Sequence, residues 1–507
     1  MDSVAQVLEG GAPDAPSISS LGDAPALRYR DLRALVQRTV GQLNSLGIGR
    51  GDRVAIVLHN GPEMAAAFVS IAAGATTAPL NPAYLAEEFE FYLTDLRAKA
   101  LVVEHGMASP SREVAEKLGL AVVELRPDRA QGAGAFTLEP LGAMRGTAER
   151  PGLGEAGDIA LVLHTSGTTA RPKIVPLLQR NVIASSGNIA RTLSLAPGDV
   201  CLNIMPLFHI HGLIAATLAS LRAGAQVCCT PGFNGLKYFG WLDAVKPTWI
   251  TAVPTMHQAI LSRAGRNEEI VARSRLRLIR SSSAALAPQV MAELEKTFRA
   301  PVIESYGMTE ASHQMASNPI PPRARKPGSV GVAAGPEIGI MGEEGRLLAT
   351  GETGEVVIRG DNVTPGYENN PEANAAAFTD GWFRTGDQGF LDDDGYLRLT
   401  GRLKELINRG GEKFSPLEVD HVLMEPPAVQ QVVTFAMPHH KLGEDVAAAV
   451  VIREGKSASE RELRDFAAKH LADFKVPRRI VIVREIPKGA TGKLRRMELA
   501  EKLGLEA

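Results

Sequence analysis

The sequence predicts an α/β protein in which a large N-terminal domain is followed by a smaller, mobile α+β domain. Apolar runs typical of strands alternate with amphipathic helical patterns between residues 27 and 304. This alternation indicates mostly parallel sheets flanked by helices. A length of 507 residues is too great for one ordinary hydrophobic core, so two or three domains are expected.

The elements of the large domain are predicted in a regular order. A helix over 27–46 leads to a strand, a helix and a strand at 53–58, 62–73 and 76–80, then to a helix over 86–96, a strand at 100–103, a helix over 112–118 and a strand at 121–125. Residues 126–157 are rich in Gly, Pro, Ala and charge, which indicates surface loops. The alternation resumes with strands at 159–163, 200–205, 227–229, 249–253, 276–279 and 301–304 and a helix over 213–223. Ligands of such sheets bind at the carboxyl ends of the strands.

The rest of the chain has a different pattern. From residue 331, short strands and Gly-containing turns, such as 354–359 and 395–400, predict a small β subdomain. Beyond it a separate domain is predicted, with strands at 432–435, 446–452 and 479–483 and helices over 415–423 and 459–471. We therefore divide the chain into a large domain, residues 1–400, and a small C-terminal domain, residues 401–507.

The composition favours a globular protein that binds neither nucleic acid nor a membrane. Hydrophobic residues make up 45% of the chain and charged residues 22%, and the net charge is −2. No uncharged apolar run is long enough to span a membrane, and no signal peptide is visible. The cysteines, Cys201, Cys228 and Cys229, lie in apolar sequence, which suits a reducing compartment. We expect a cytoplasmic protein, either a monomer or a homodimer.

One turn rich in Gly, Ser and Thr carries a clear chemical signal. It follows the predicted strand 159–163, and its candidate ligand-binding residues are Thr165, Ser166, Gly167, Thr168, Thr169 and Lys173. Backbone N–H groups, hydroxyl groups and an ammonium group together favour a phosphate at the carboxyl end of a strand. The turn is not a Walker loop, since no Gly-Lys-Ser/Thr follows at the required spacing. A solvated polar turn is the alternative interpretation.

This turn resembles the phosphate loop of the adenylate-forming superfamily, which includes acyl-CoA synthetases, luciferases and the adenylation domains of peptide synthetases. The family pattern is Ser/Thr-Ser-Gly-Ser/Thr-Thr-Gly-x-Pro-Lys-Gly. The chain departs from it at Ala170 and Ile174, where glycine is usual, and both changes are expected to stiffen the loop. The hydroxyl groups and Lys173 are all present, so we interpret the departures as tuning.

Further stretches match the same family in order and spacing, namely 281–286, 305–310, 381–387, 401–413 and 487–493. In the first, small residues such as Ser283 and Ala284 let the backbone approach adenine. In the second, which also contains Gly307, Tyr306 offers a flat face for a base, Thr309 a hydroxyl for a phosphate, and Glu310 a carboxylate for Mg²⁺. For this stretch a strand-end turn with a core aromatic residue is the alternative.

The later stretches add the ribose site and the moving parts. Asp387 is predicted to lie in a tight turn, where its carboxylate can accept both ribose hydroxyls. The resemblance implies that Arg402 also contacts the ribose and that Lys404 is the hinge between the domains. It further implies roles for glycines bordering the pantetheine passage and for the lysine of adenylation, which are Gly410, Gly411 and Lys493.

The resemblance implies an ATP-dependent acid–CoA ligase. The acid's oxygen attacks the α-phosphate of ATP, pyrophosphate leaves, and the acyl-adenylate then reacts with CoA to release AMP. Positioning and charge neutralisation dominate such a step. The residues implied to supply them are Lys493, Lys173, Thr309, and Glu310 with Thr165 for Mg²⁺. Rotation of the small domain about Lys404 would then exchange the Lys493 face for the Gly410–Gly411 face.

Within the superfamily the chain is most similar to oxalate–CoA ligases, over nearly its full length. The residues that carry this similarity include the stretches 78–92, 206–212, 251–257 and 308–319. The segments expected to line the acyl site carry polar side chains, His209, His211, Ser281, Ser283 and His313. A small dianion needs such donors around its second carboxylate, and His313 is the favoured contact.

Other interpretations stay open at this stage. No arginine is obvious in the acid pocket, and each histidine could be an ordinary core residue. The rival functions are a CoA ligase for another short acid, such as malonate or a small monocarboxylate, and transfer of the adenylate to a carrier-protein thiol. A non-catalytic binding protein on the same fold is a further alternative, although Lys493, Glu310 and Asp387 are all present.

Overall fold

The computed structural model describes residues 3–142, 146–165, 172–489, 492–494, 496 and 499–505. Its N-terminal part is built on two large sheets. The first sheet, called the N-terminal sheet, contains in spatial order Phe136–Pro140, Ala121–Pro127, Ala100–Glu104, Arg53–Val57, Thr76–Pro79, Ile159–Thr165 and Lys173–Leu178. Its inner strands are parallel, and the outermost strand at each end pairs antiparallel with its neighbour.

The second sheet, called the central sheet, carries most of the site residues. It contains in spatial order Val332–Ala333, His313–Ser317, Val302–Met308, Leu278–Ser282, Trp249–Ala252, Val200–Asn203, Gln226–Cys229, Pro16–Ser19 and Leu27–Arg28. The strands from Val302–Met308 to Pro16–Ser19 are parallel. Their carboxyl ends therefore meet at one edge of the sheet.

Two smaller sheets follow. The β subdomain is antiparallel and contains Glu337–Met341, Gly354–Arg359, Trp382–Leu391, Phe378–Thr379 and Leu397–Arg402. The C-terminal sheet contains Glu412–Phe414, Ile407–Arg409, Gly443–Ile452, Val429–His439 and Arg479–Ile482. The strand Leu397–Arg402 extends two residues past our predicted boundary at 400/401. That boundary stays a prediction.

Helices cover the sheets. The α-helices are Tyr29–Ser45, Pro62–Ala72, Ala86–Asp95, Pro110–Lys117, Gln179–Thr192, Ala219–Arg222, Tyr238–Val245, Pro254–Ala264, Glu268–Ala272, Pro288–Phe298, Pro371–Ala377, Pro416–Leu423, Glu460–His470 and Leu499–Lys502. Short 3₁₀ segments are Val4–Gly10, Thr309–Ala311, Leu403–Glu405 and Asp473–Lys475, and His211–Leu218 is π-helical.

Two of these helices illustrate how packing and capping fix their positions. Pro62–Ala72 buries every side chain from Met64 onward, since it contacts strands of both large sheets. Ser459 caps Glu460–His470 by accepting a hydrogen bond from the backbone N–H of Glu462, whose side chain accepts in return from the Ser459 N–H.

The predicted α/β class, with a large N-terminal domain and a smaller C-terminal one, is confirmed. Three local predictions are wrong. Residues 136–140, expected in a loop, form an edge strand in which the buried Phe136 and Leu138 alternate with the exposed Thr137 and Glu139. The stretches at 281–282 and 305–308 lie inside strands and not in turns after them. No helix within the described ranges is long and apolar enough to cross a membrane.

Candidate active site

The candidate site lies at the carboxyl edge of the central sheet, where the loop that carries Lys493 docks. Thr255, in the helix after the strand Trp249–Ala252, donates from Oγ1 to the carbonyl of Gly492 over 2.6 Å. Burial, followed by the nearby charge of Arg402, lowers the pKa of Lys493 to about 8. The Lys493 ammonium interacts electrostatically with the carboxylates of Asp387 and Glu310, so predicted site residues that lie far apart in the sequence meet here.

The expected ribose-binding residues form a connected group. Tyr306 donates from its hydroxyl to Asp387 Oδ2, and Arg402 Nε donates to Asp387 Oδ1 over 3.1 Å. Asp387 and Arg402 are cross-strand neighbours in the β subdomain, whereas Tyr306 belongs to the central sheet. Burial and the Asp387 charge raise the pKa of Tyr306 well above its usual range.

The predicted tight turn at Asp387 is wrong, because this residue lies inside the strand Trp382–Leu391. The glycine that suggested the turn, Gly386, does have a positive φ of 74°. Gly386 lies in an irregular stretch of strand and not in a chain reversal. The register of Trp382–Leu391 shifts against Gly354–Arg359 and against Leu397–Arg402. The carboxylate is therefore held by a sheet.

The candidate metal ligand Glu310 is buried beside a residue that sequence reasoning missed. Tyr367 donates from its hydroxyl to Glu310 Oε1 over 2.8 Å, and Lys173 Nζ lies 4.4 Å from the centre of the Tyr367 ring. Burial raises the pKa of Glu310, and the hydrogen bond from Tyr367 and the Lys173 charge oppose this rise. A carboxylate has lone pairs for more than one partner, so the Glu310 carboxylate fits a cation such as Mg²⁺.

The phosphate turn connects two antiparallel strands of the N-terminal sheet. Thr165 ends the first strand and pairs with Lys173, which begins the second, so both flank the turn. Ile174 packs its side chain into the hydrophobic core beside this sheet, which explains an apolar residue at that position. Four predicted ligand residues and one departure, Ser166, Gly167, Thr168, Thr169 and Ala170, lie outside the described residues.

Three of the residues predicted for the acid site lie together. His211 is fully buried; its Nδ1 lies 3.1 Å from Ser283 Oγ and its Nε2 2.6 Å from Thr251 Oγ1. The rings of His211 and His313 meet edge to face with their centres 4.8 Å apart. Burial and neighbouring positive charge lower the pKa of both histidines well below the usual range, so both rings are neutral at pH 7.

An arginine that is not obvious from the sequence lies beside the histidines predicted for the acid site. Arg280 lies in the strand Leu278–Ser282, is fully buried, and places Nη2 3.4 Å from His313 Nδ1. Sequence reasoning missed it because Arg280 follows the run Leu276-Arg277-Leu278-Ile279, in which nothing distinguishes an inward arginine from an outward one.

The other predicted acid-site residues take different positions. His209 accepts at Nδ1 from the backbone N–H of His211 over 3.3 Å, and burial, with the charge of Lys493, lowers its pKa to about 3. Ser281 is buried within its strand, and no contact among the described residues joins its hydroxyl to the histidines.

Residues expected at the adenine and at the hinge are found in loops and at strand ends. Ala284 is exposed just beyond its strand. Gly307 allows the chain to fold back, since a Cβ there would lie 1.6 Å from the carbonyl oxygen of His313. Lys404 lies in the 3₁₀ segment between the β subdomain and the C-terminal sheet. Gly410 and Gly411 form the turn of a hairpin, with φ of 62° and 103°.

The residues expected to bind phosphate and ribose, together with the docked Lys493, are arranged as the sequence predicts for an adenylate-forming enzyme. The chain belongs to the AMP-binding enzyme family, whose model matches residues 8–368, and the family's C-terminal domain matches residues 418–493. The family expected from the sequence is thus confirmed, and with it the class of AMP-forming acid–CoA ligases.

Individual relatives agree with this assignment. The oxalate–CoA ligase of Arabidopsis thaliana is 44% identical over 99% of this chain and 98% of its own. The oxalate–CoA ligase of Saccharomyces cerevisiae is 42% identical over 93% of this chain and 92% of its own. Among solved structures, ATP-bound MatB from Rhodopseudomonas palustris superimposes with a TM-score of 0.86 at 30% identity, covering 99% of both chains.

Proposed function

We propose that this protein is an ATP-dependent oxalate–CoA ligase. It forms oxalyl-adenylate and pyrophosphate from oxalate and ATP, and then oxalyl-CoA and AMP from the adenylate and CoA. The observation that carries the choice of acid is the polar end of the pocket, where His211, His313 and Ser283 stand over the buried Arg280. A hydrocarbon tail would leave the Ser283 hydroxyl hydrogen and the second ring nitrogen of His313 without a partner, whereas a second carboxylate can accept from both. The two relatives named oxalate–CoA ligases support the same acid.

In the first half-reaction the protein positions its substrates and neutralises charge. The acid oxygen attacks the α-phosphorus in line, a P–O bond forms, and the bond to pyrophosphate breaks. Lys493, held by the Thr255–Gly492 contact, places its ammonium against the oxygens on which charge develops. Lys173 and the hydroxyls of Thr165 and Thr309 bind the phosphates.

The nucleotide is held by residues of three sheets. Asp387 and Arg402 bind the ribose, and Tyr306, with Gly307 behind it, stacks on the adenine against the backbone of Ser283 and Ala284. Glu310 and Thr165 would hold Mg²⁺. When bound, this ion supplies positive charge to the triphosphate and the leaving pyrophosphate.

The second half-reaction needs a different face of the small domain. Lys493 occupies the site during adenylation, so the CoA thiol has to approach the acyl carbon by another route. Rotation about Lys404 withdraws Lys493 and brings the Gly410–Gly411 turn to the pantetheine passage. The positive φ of both glycines suits a turn in which the backbone passes close to a ligand.

The substrate assignment is tested by AMP formation with ATP and free CoA, comparing oxalate, malonate, acetate and octanoate. We expect oxalate to lead in kcat/KM by about tenfold or more, equivalent to about 1.4 kcal/mol of transition-state binding. A lead by malonate or by a monocarboxylate would overturn the choice of acid. Adenylate formation without turnover on free CoA would point instead to a carrier-protein thiol.

A further inference from the structure

Arg280 is a buried cation without an anionic partner. Its Nη1 lies 3.3 Å from Thr251 Oγ1, and its Nη2 lies 3.2 Å from Gln314 Oε1 and 3.4 Å from His313 Nδ1. Among the described residues its Nε has no hydrogen-bond partner, and no carboxylate comes within ion-pair distance of the guanidinium. All of its assigned partners are therefore neutral.

Arg277 lies in the same segment and, unlike Arg280 within the described part of the chain, has an anionic partner. It donates from Nε and Nη2 to the two carboxylate oxygens of Asp199, over 2.6 and 2.7 Å, and is partly exposed. Burial of an unpaired charge is costly, and the cost falls when an anion binds nearby. Arg280 is therefore suited to a bound anion, whereas Arg277 is already neutralised.

The hydrogen bonds around Arg280 have a fixed direction because a guanidinium can only donate. Thr251 Oγ1 accepts from Arg280, and Thr251 is fully buried. The Thr251 hydroxyl hydrogen then needs an acceptor, which His211 Nε2 provides at 2.6 Å. In neutral His211 the proton therefore sits on Nδ1 and is donated to Ser283 Oγ. The Ser283 hydroxyl hydrogen is left to donate into the acid pocket.

A second series of hydrogen bonds starts from the same guanidinium. Arg280 Nη2 faces His313 Nδ1, so Nδ1 is the acceptor and the ring proton of neutral His313 sits on Nε2. This nitrogen is on the side of the ring away from Nδ1 and can donate to a ligand. The backbones of Ser283, Ser312 and His313 all have positive φ, of 75°, 49° and 102°, and such strain in non-glycine residues clusters at ligand sites.

We propose that Arg280 is the specificity-determining residue for dicarboxylates, acting as a positioning residue through two hydrogen-bond arms. One arm runs through Thr251 and His211 to Ser283, and the other through His313. Both arms end in a donor directed at the second carboxylate. Both begin at the guanidinium of Arg280, whose positive charge has no anionic partner among the described residues. This inference rests on the proposed function and assigns the part of the site that distinguishes a dianion from a monoanion.

The test compares Arg280→Gln with the matched control Arg277→Gln. For each protein, kcat/KM is measured for oxalate, malonate and acetate, together with KM for ATP. We expect Arg280→Gln to lower the ratio of the better dicarboxylate over acetate by about tenfold or more, mainly through the KM of the acid. KM for ATP changes by less than about twofold. Arg277→Gln leaves the ratio unchanged even where it lowers the melting temperature.

A merely structural role for Arg280 predicts an equal loss with all three acids, and that result would overturn the inference while leaving oxalate as the substrate. If the wild type prefers malonate and the ratio still collapses in Arg280→Gln, the choice of oxalate fails and the inference stands. If the wild type favours no dicarboxylate, both fail. Arg280→Lys, which keeps the charge but offers one nitrogen in place of a fork, is expected to restore part of the ratio.

A second measurement, made on the wild-type protein, does not depend on whether Arg280→Gln folds. Nitrogen NMR of ¹⁵N-histidine-labelled wild-type protein, with signals assigned through His211→Asn and His313→Asn, reports the position of each ring proton. The proposal requires the Nδ1–H form for His211 and the Nε2–H form for His313. The opposite form at either ring would contradict the direction assigned to that arm.

Discussion

Thr255 Oγ1 donates to the carbonyl oxygen of Gly492 over 2.6 Å, and this contact ties the loop that carries Lys493 to the large domain. Thr255 follows the strand Trp249–Ala252, so the loop is held at the same sheet edge as the acid pocket. This arrangement is the one that the proposed first half-reaction needs, because Lys493 lies near Asp387 and Glu310, which we propose to bind the ribose and Mg²⁺.

Lys493→Ala is expected to separate the two half-reactions. Adenylate formation needs the ammonium and should fall by about 10²-fold or more. Thioester formation from supplied oxalyl-adenylate needs the other face of the small domain and should stay within about twofold of the wild type. Both are measured by single-turnover kinetics. An equal loss of rate in the two half-reactions would contradict the proposal that the small domain uses one face for adenylation and another for thiolysis.

Thr255→Val removes the docking hydrogen bond and keeps the side-chain shape. A neutral hydrogen bond of this kind contributes about 1 kcal/mol, so adenylation is expected to slow about fivefold while thiolysis of supplied adenylate is unchanged. Thr255→Ser, which retains the hydroxyl, is the control and should behave like the wild type. An adenylation rate unaffected by the valine would show that the contact does not hold the loop.

Adenylation is expected to lose rate as the pH rises through about 8. Burial, with the positive charge of Arg402, lowers the pKa of Lys493 to that value. The protonated form is the active one, and it is present below the pKa and lost above it. Because an arginine stays protonated over this range, Lys493→Arg should have no such alkaline limb, whatever its maximal rate. A limb of the same pKa in the arginine variant would assign the ionisation to another group.

Tyr367→Phe tests the support given to Glu310. The variant removes the hydrogen bond to Glu310 Oε1 but keeps the ring that faces Lys173. A hydrogen bond to a charged group is worth about 1.5–3 kcal/mol, and its loss raises the pKa of the buried carboxyl further. We expect the Mg²⁺ concentration for half-maximal adenylation to rise about tenfold, with the KM for oxalate little changed. A rise confined to the oxalate KM would remove Glu310 from the metal site.

The sequence predicts the architecture well where the spacing of apolar residues and the positions of turn-forming residues indicate the same elements. The strands and helix at residues 53–80 are found within a residue or two of their expected bounds, since buried parallel strands are short apolar runs and helices between them are amphipathic or fully buried. The turn expected at Asp387 fails for a physical reason, because Gly386 marks an irregularity within a strand as readily as a chain reversal.

Only part of the candidate site can be predicted from the sequence. Motif residues such as Tyr306 and Asp387 can be found because each belongs to a stretch that matches the family in order and spacing. Tyr367 has no such signal: it reaches Glu310 from a loop more than fifty residues away. Arg280 is hidden because strand alternation alone cannot tell which arginine of its segment is buried. Both are contacts of tertiary structure.

The central claim is that an oxygen of oxalate attacks the α-phosphate of ATP, and isotope transfer tests it most directly. Oxalate labelled with ¹⁸O in its carboxylates is turned over with ATP and CoA, and the products are analysed by mass spectrometry. We predict one ¹⁸O in each AMP, because thiolysis breaks the acyl C–O bond and leaves the bridging oxygen on phosphorus, and none in pyrophosphate. Unlabelled AMP, with label in another phosphate product, would contradict an oxalyl-adenylate intermediate.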